Sequence, residues 1–202
     1  MSKGTLFVLL SPSGGGKGSV LKEVLDKEKK LRCSVSATTR KPRPGEVDGK
    51  HYFFIDKAEF EDMIEKGTML EHASYCGNYY GTPRAAVEKW QNEGIDVVLE
   101  IEVQGAVQVK KLAPEAVSIF IMPPSFEVLE KRLRRRGTET EEVIESRLSA
   151  ARGEISYAQQ CRYIVVNDEL QTAVDDVRAI IRAERCRAEN MKDFIKGVQE
   201  NA

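Results

Sequence analysis

The apolar run Leu6-Phe7-Val8-Leu9-Leu10 leads within two residues into Ser13-Gly14-Gly15-Gly16-Lys17-Gly18-Ser19. No other feature limits the possible folds so tightly. Three consecutive glycines let successive backbone N–H groups turn inward around an anion along a path that a Cβ would block. Lys17 adds a mobile positive charge. The helix expected next, over about Ser19 to Lys30, points its unsatisfied N–H groups and partial positive charge at the same spot. The pattern G-x-x-x-x-G-K-[ST] is met at Gly16 and Lys17, but Ser11 replaces its first glycine and Gly18 its hydroxyl residue. Ser19, one residue late, keeps a hydroxyl for a phosphate. A hydroxyl ligand to Mg²⁺ beside the lysine is lost, which leaves the metal to water, nucleotide oxygens and carboxylates elsewhere. A glycine-rich turn with its lysine in solvent is the competing reading.

Short apolar runs alternate along the chain with longer helical patterns, as expected of α/β architecture with a parallel central sheet wrapped by helices. Leu6 to Leu10, Val97 to Val103, Ser118 to Met122 and Tyr163 to Val166 are the strand candidates, apolar enough to be covered on both faces. Between Cys33 and about Gly81 the texture changes. Ser34-Val35-Ser36-Ala37-Thr38 alternates with period two and His51-Tyr52-Phe53-Phe54-Ile55 is aromatic, so a small β-rich lobe is expected there. Within 202 residues, 41% hydrophobic and 31% charged, one good core is feasible. The net charge of −1 argues against a nucleic-acid binder with a broad basic surface. Cys33, Cys76, Cys161 and Cys186 include no CxxC pair. Free thiols in a reducing cytosol are therefore expected, with no metal knuckle and no disulfide framework. The first apolar stretch is too short to span a bilayer and lacks a signal-peptide cleavage pattern.

Three further groups carry chemistry. Thr38-Thr39-Arg40-Lys41-Pro42-Arg43-Pro44-Gly45 places two guanidiniums three residues apart on a proline-stiffened segment, with Tyr52 and Tyr80 nearby in the lobe. Each planar fork can donate two parallel hydrogen bonds to a phosphate dianion. Taken alone, the segment also reads as a solvated basic loop. In Asp96-Val97-Val98-Leu99-Glu100-Ile101-Glu102, period two is expected to put Glu100 and Glu102 on one face at the carboxyl end of a buried strand, where ligands of open α/β sheets bind. One such acid can organise hydrated Mg²⁺ and another can read a purine edge. Glu71 in the lobe can do the latter: guanine offers adjacent N1–H and N2–H₂ donors to one carboxylate and adenine does not. The third group is an arginine-rich helical hairpin. Ser125 caps a helix with Leu129 and Leu133 inward and Arg132, Arg134, Arg135 and Arg136 around it. Thr138-Glu139-Thr140-Glu141 has capping-box spacing for a second helix carrying Arg147 and Arg152. Some of these arginines would neutralise a phosphoryl group in flight.

Ser34 to Glu46, Gly77-Asn78-Tyr79-Tyr80-Gly81-Thr82, Val103-Gln104-Gly105 and Arg136-Gly137-Thr138-Glu139 together resemble the motifs of the guanylate kinase family over essentially the whole chain. The resemblance implies transfer of the terminal phosphate of ATP to GMP, with Mg²⁺, in the cytoplasm. It implies a phosphate-loop kinase fold with a core of residues 1–33, 91–124 and 158–202, a GMP-binding lobe of 34–90 and a lid of 125–157. By position, it assigns Arg40, Arg43, Tyr52 and Tyr80 to the GMP phosphate and Ser36, Glu71, Thr82 and Glu102 to its guanine. Ser13, Gly14, Gly15, Gly16, Lys17, Gly18 and Ser19 fall to the ATP phosphates, Asn167 to adenine, Glu100 to the neighbourhood of Mg²⁺, and Arg136 and Arg147 to the lid. Glu102 and Gly18 depart from the family pattern, which commonly has Asp and a hydroxyl residue there. The motifs D-x-x-G and N-K-x-D of a GTPase do not occur. A noncatalytic phosphoprotein-binding relative is the remaining alternative from another class, and Lys17 argues against it. The expected chemistry is direct in-line transfer without a phosphoenzyme.

Overall fold

The computed structural model describes residues 3–75, 77–135 and 140–200. Its core is a five-stranded parallel sheet ordered β2-β7-β1-β8-β9, built from β1 (Leu6–Leu10), β2 (Leu31–Cys33), β7 (Asp96–Glu100), β8 (Val117–Met122) and β9 (Tyr163–Val166). Strand β1 lies at the centre and every residue in it is buried, so the loop that follows emerges in the middle of the sheet's carboxyl edge. This is where open α/β sheets gather ligands. One face of the sheet is covered by α1 (Lys17–Lys27) and α7 (Leu170–Arg185), which bury Val20, Leu21, Val24, Val174, Val177 and Ile181 against Phe7, Leu9, Ile119 and Ile121. The other face packs Val8, Leu10, Leu99 and Phe120 against Val87 of α3 (Arg84–Asn92) and Ala106 and Val109 of α4 (Val103–Leu112).

The β-rich lobe is a second, four-stranded sheet ordered β4-β3-β6-β5, with β3 (Ala37–Thr38), β4 (Phe53–Phe54), β5 (Met69–Tyr75) and β6 (Asn78–Pro83). Between β4 and β5 the chain forms α2 (Lys57–Glu65), which alternation in the sequence did not announce. Its N-cap Asp56 accepts the Glu59 amide at 2.8 Å, and its Phe60 fills the lobe core beside Ala37 and Met69. The lobe is tied to the main sheet by α4. The Gln108 amide group accepts the His72 N–H (3.1 Å) and donates to the His72 carbonyl (2.8 Å), replacing a ladder partner for β5.

Three expectations are corrected. Strand β7 stops at Glu100. The Ile101 carbonyl accepts from Lys17 Nζ at 2.9 Å, and the Glu102 carbonyl begins α4 by accepting the Ala106 amide, so Glu102 is the N-cap of a helix and does not share a strand face with Glu100. Helix α1 opens at Lys17 and ends at Lys27, because Gly16 with φ 93° already stands at the N-cap and Glu28 leaves the helix to pair with Arg178 and Arg185. In the hairpin, α5 (Phe126–Arg135) opens as expected, the Val128 amide donating to Ser125 Oγ at 3.2 Å. Its partner α6 (Glu141–Tyr157) has Thr140 at the N-cap position, with no side-chain capping hydrogen bond, and Glu141 and Glu142 in the first turn, where acidic groups suit the helix dipole. Arg136, Gly137, Thr138, Glu139 and Cys76 lie outside the described residues. Near its C-terminal end the chain forms α8 (Lys192–Glu200).

Phe60 is fully buried and the lobe has a small core. Phe60→Ala is expected to cost about 3 to 5 kcal/mol, read as a lower urea midpoint. Because only the lobe is loosened, amide hydrogen exchange in β3, β5 and β6 should quicken well before the main sheet melts.

Candidate active site

The phosphate loop is held from several sides. Gly16, in the left-handed region, closes it onto α1, and the first amides of that helix have no helical acceptor behind them. Lys17 does not face solvent. Its side chain is 12% exposed and reaches back to the Ile101 carbonyl, with Glu102 Oε1 at 3.7 Å. The Gly15 carbonyl accepts from Asn167 Nδ2 at 2.8 Å, and the Asn167 carbonyl accepts from Arg132 Nη2 at 2.9 Å. Asn167 is buried, and its amide grips the loop. The Ser13 amide donates to Glu154 Oε2 of α6 at 3.1 Å. Gly14 packs on α5, and Ser19 is exposed on the first turn of α1. Glu100 is exposed at the end of β7, its Oε1 3.5 Å from where Gly18 would carry a Cβ.

In the lobe, Arg40 donates from Nη1 to Glu46 Oε2 (3.0 Å) and from Nη2 to Oε1 (2.8 Å). Glu46 also accepts the Arg43 amide at 2.7 Å. The Arg40 guanidinium and the Arg43 amide hold the Glu46 carboxyl down to about 2. The Arg40 guanidinium lies over the Tyr52 ring (5.5 Å) and hydrogen-bonds Tyr80, whose ring meets Tyr52 edge-on at 6.1 Å. Arg40, Tyr52 and Tyr80 thus converge, while the Arg43 side chain is exposed at the rim.

Glu71 and Thr82 form a second centre in the same sheet. They are register partners on β5 and β6, and Thr82 Oγ1 donates to Glu71 Oε1 at 2.7 Å. Glu71 is only 6% exposed. Burial pushes its carboxyl above 4.5, opposed by the Thr82 hydroxyl. Its other oxygen faces α4 at Gly105, where a Cβ would stand 2.7 Å from Oε2. Any other residue there would displace the carboxylate. Ser36 is half-buried at the mouth of β3, its carbonyl accepting the Phe53 amide. Glu102 remains 70% exposed beside Lys17. Arg147 is half-buried on α6. Two residues outside the sequence-based candidates take part: Glu46, for which the i,i+3 spacing from Arg43 was a local signal, and Glu154, which meets the loop across 141 positions and gave none.

A phosphate loop at the centre of a parallel sheet, a basic and aromatic cluster beside a buried carboxylate in an inserted lobe, and an arginine-bearing helical hairpin define a nucleoside monophosphate kinase of the phosphate-loop class. The guanylate kinase family model matches residues 3–184. A guanylate kinase of Desulfitobacterium hafniense is 51% identical over 195 residues, covering 96% of this chain and 98% of the relative. One from Caldanaerobacter subterraneus subsp. tengcongensis is 50% identical over 200 residues, covering 99% and 97%. The crystal structure of guanylate kinase from Anaplasma phagocytophilum superposes with a TM-score of 0.73 at 36% identity, covering 94% of this chain and 90% of that one. The chain belongs to the guanylate kinase family.

The raised Glu71 carboxyl has a consequence for stability. A carboxyl whose folded pKa lies above its unfolded one binds more protons in the native state, so its contribution is fully present below the unfolded value and is lost as pH rises through the folded one. At pH 8 the buried charge is therefore a net cost. Glu71→Gln keeps an acceptor for Thr82 and removes the charge: its Tm should exceed the parent's at pH 8, with the gap narrowing towards pH 4. The same variant should have a higher KM for GMP and a weaker preference over AMP. A Tm gap independent of pH would mean that Glu71 is not the buried ionised group.

Proposed function

We propose that this chain transfers the γ-phosphate of ATP to GMP and dGMP, in line and without a phosphoenzyme. The observation that carries this reading is the face of β6. Tyr80 and Thr82, two residues apart on one strand, share a side of the sheet about 6.6 Å from each other. Tyr80 belongs to the Arg40 cluster, while Thr82 holds Glu71. One strand thereby spaces an anion-binding group from a buried carboxylate suited to the paired N1–H and N2–H₂ donors of guanine. Adenine and the pyrimidines lack that donor pair. Arg40, Arg43, Tyr52 and Tyr80 would take the acceptor phosphate, with Ser36, Glu71, Thr82 and Glu102 around the base.

On the donor side, the loop from Ser13 to Ser19 would cradle the phosphates and Lys17 would follow the moving one. Asn167 would stand towards the adenosine end, and Arg136 and Arg147 would come from the hairpin. In this reading residues 34–90 are the acceptor lobe, 125–157 the lid and the remainder the core. The protein groups fit a Mg²⁺ carried by the nucleotide: among the described residues no cluster of three ligating side chains occurs, and Glu100 stands exposed beside Gly18, where no hydroxyl competes. Bound there through water, the ion would neutralise phosphate charge. The chain's own work is positioning and electrostatic stabilisation, and closure of lobe and hairpin keeps water from competing as acceptor.

Release of ADP from ATP with each of GMP, dGMP, AMP, CMP and UMP tests the reading. GMP and dGMP should support turnover far above the others, and equal rates with AMP would overturn it. Lys17→Met should lower kcat by about a hundredfold or more while circular dichroism stays unchanged. A Lys17→Met variant that turns over like the parent would remove Lys17 from the reaction.

A further inference from the structure

Glu154 stands outside every family motif quoted above, yet its carboxylate takes a backbone N–H from the middle of the phosphate loop. Helix α6, on which it sits, also carries Arg147. Seven residues separate the two, almost two full turns, so both occupy one face of the helix about 10 Å apart along its axis. Fixing one therefore fixes the other. A second contact reinforces the first: on α5, Leu133 Cδ2 lies 2.8 Å and Leu129 Cδ1 3.1 Å from the Cβ position of Gly14. Leu129 and Leu133 share a small apolar core with Ile144, Leu148 and Ala151 of α6, so the two helices reach the loop as one unit.

We propose that Glu154 is a positioning residue that locks the phosphate loop to helix α6, so that Arg147 is delivered to the donor phosphates in a fixed register. The proposal rests on the phosphotransferase reading above. Its chemistry is that of a hydrogen-bond acceptor spanning two elements, with the charge secondary.

The test compares Glu154→Ala and Glu154→Gln in the full chain, alone and combined with Arg147→Met. Glu154→Ala should lower kcat about tenfold or more with the KM for GMP within about twofold of the parent, since the acceptor lobe is untouched. Glu154→Gln, which keeps an acceptor oxygen, should restore kcat to within about threefold. In the Glu154→Ala background, Arg147→Met should cost at least about fivefold less than in the parent, because residues acting through one contact are not additive. Independently of turnover, amide hydrogen exchange over residues 11–16 should quicken in the alanine variant and not in the glutamine variant.

Additive losses, an alanine variant as active as the parent, or equal loss and equal exchange in both variants would overturn the role. A parent chain that fails to phosphorylate GMP would instead overturn the functional reading. The exchange experiment still reports on the lock in that case.

Discussion

Nine residues from Ser11 to Ser19 have to hold a shape that few side chains permit, and most of the architecture can be understood as the means of keeping them in it. A loop of glycines has much backbone entropy to lose on ordering. It is ordered here by contacts from four separate parts of the chain. The Asn167 amide takes the Gly15 carbonyl, the Lys17 ammonium spans to the end of β7, Glu154 takes the Ser13 amide, and the buried strand β1 fixes the point of departure. The parallel sheet matters because it brings the ends of β7 and β9 close to the end of β1, so Ile101 and Asn167 arrive in the segments just beyond their strands, while Glu154 reaches the loop from α6. The loop is thus ordered by the chain's own contacts, and dipoles held in this way act on a neighbouring charge without reorganising.

The inserted lobe shows a different balance between burial and stability. A carboxyl group nearly excluded from water, with the Thr82 hydroxyl on one oxygen and a glycine left open before the other, is not what a stable core would choose. Glu71 is tolerable because its neighbours are placed with care: Thr82 directly across the ladder, and Gly105 at the start of a helix whose Gln108 binds the next residue of the same strand. That helix joins the two halves of the molecule. Its N-cap Glu102 stands by Lys17, its first turn meets Glu71 at Gly105, and its second holds His72 through Gln108, so α4 touches the phosphate loop and the inserted lobe alike.

How far the sequence revealed this depends on the range of the interaction involved. Strands Leu6–Leu10 and Tyr163–Val166 were legible to the residue, because continuous apolar runs bounded by polar turns leave little alternative. The Ser125 cap and the Leu129 and Leu133 stripe were legible from local spacing. Glu102 was misplaced because strict alternation continued past the point where Lys17, far away in the chain, withdraws a carbonyl from the ladder. Helix α2 was missed between two aromatic strands, where a short amphipathic turn is hard to separate from loop. Arg40, Tyr52 and Tyr80 were grouped from local sequence and a motif resemblance, and they meet in the structure through a cation–π contact and an edge-on ring contact. Glu154 carried no signal at all, since a carboxylate on an exposed-looking helix reads like any other surface charge.

The distribution of charge in the cleft bears on why a chain with nearly balanced acids and bases can select phosphate. Two of the candidate cationic groups already face carboxylates of the chain: Arg40 is forked onto Glu46 and Lys17 stands beside the exposed Glu102. Left unpaired, these long side chains would sample many rotamers in solvent and lose a fixed geometry. Internal anions keep them in place, and they also remove the long-range pull that would attract any polyanion. Binding must then come from donors that the internal carboxylates leave exposed and correctly directed. Discrimination consequently resides in geometry and desolvation, which is the form of recognition that survives physiological ionic strength, where surface charge alone is screened within about 8 Å.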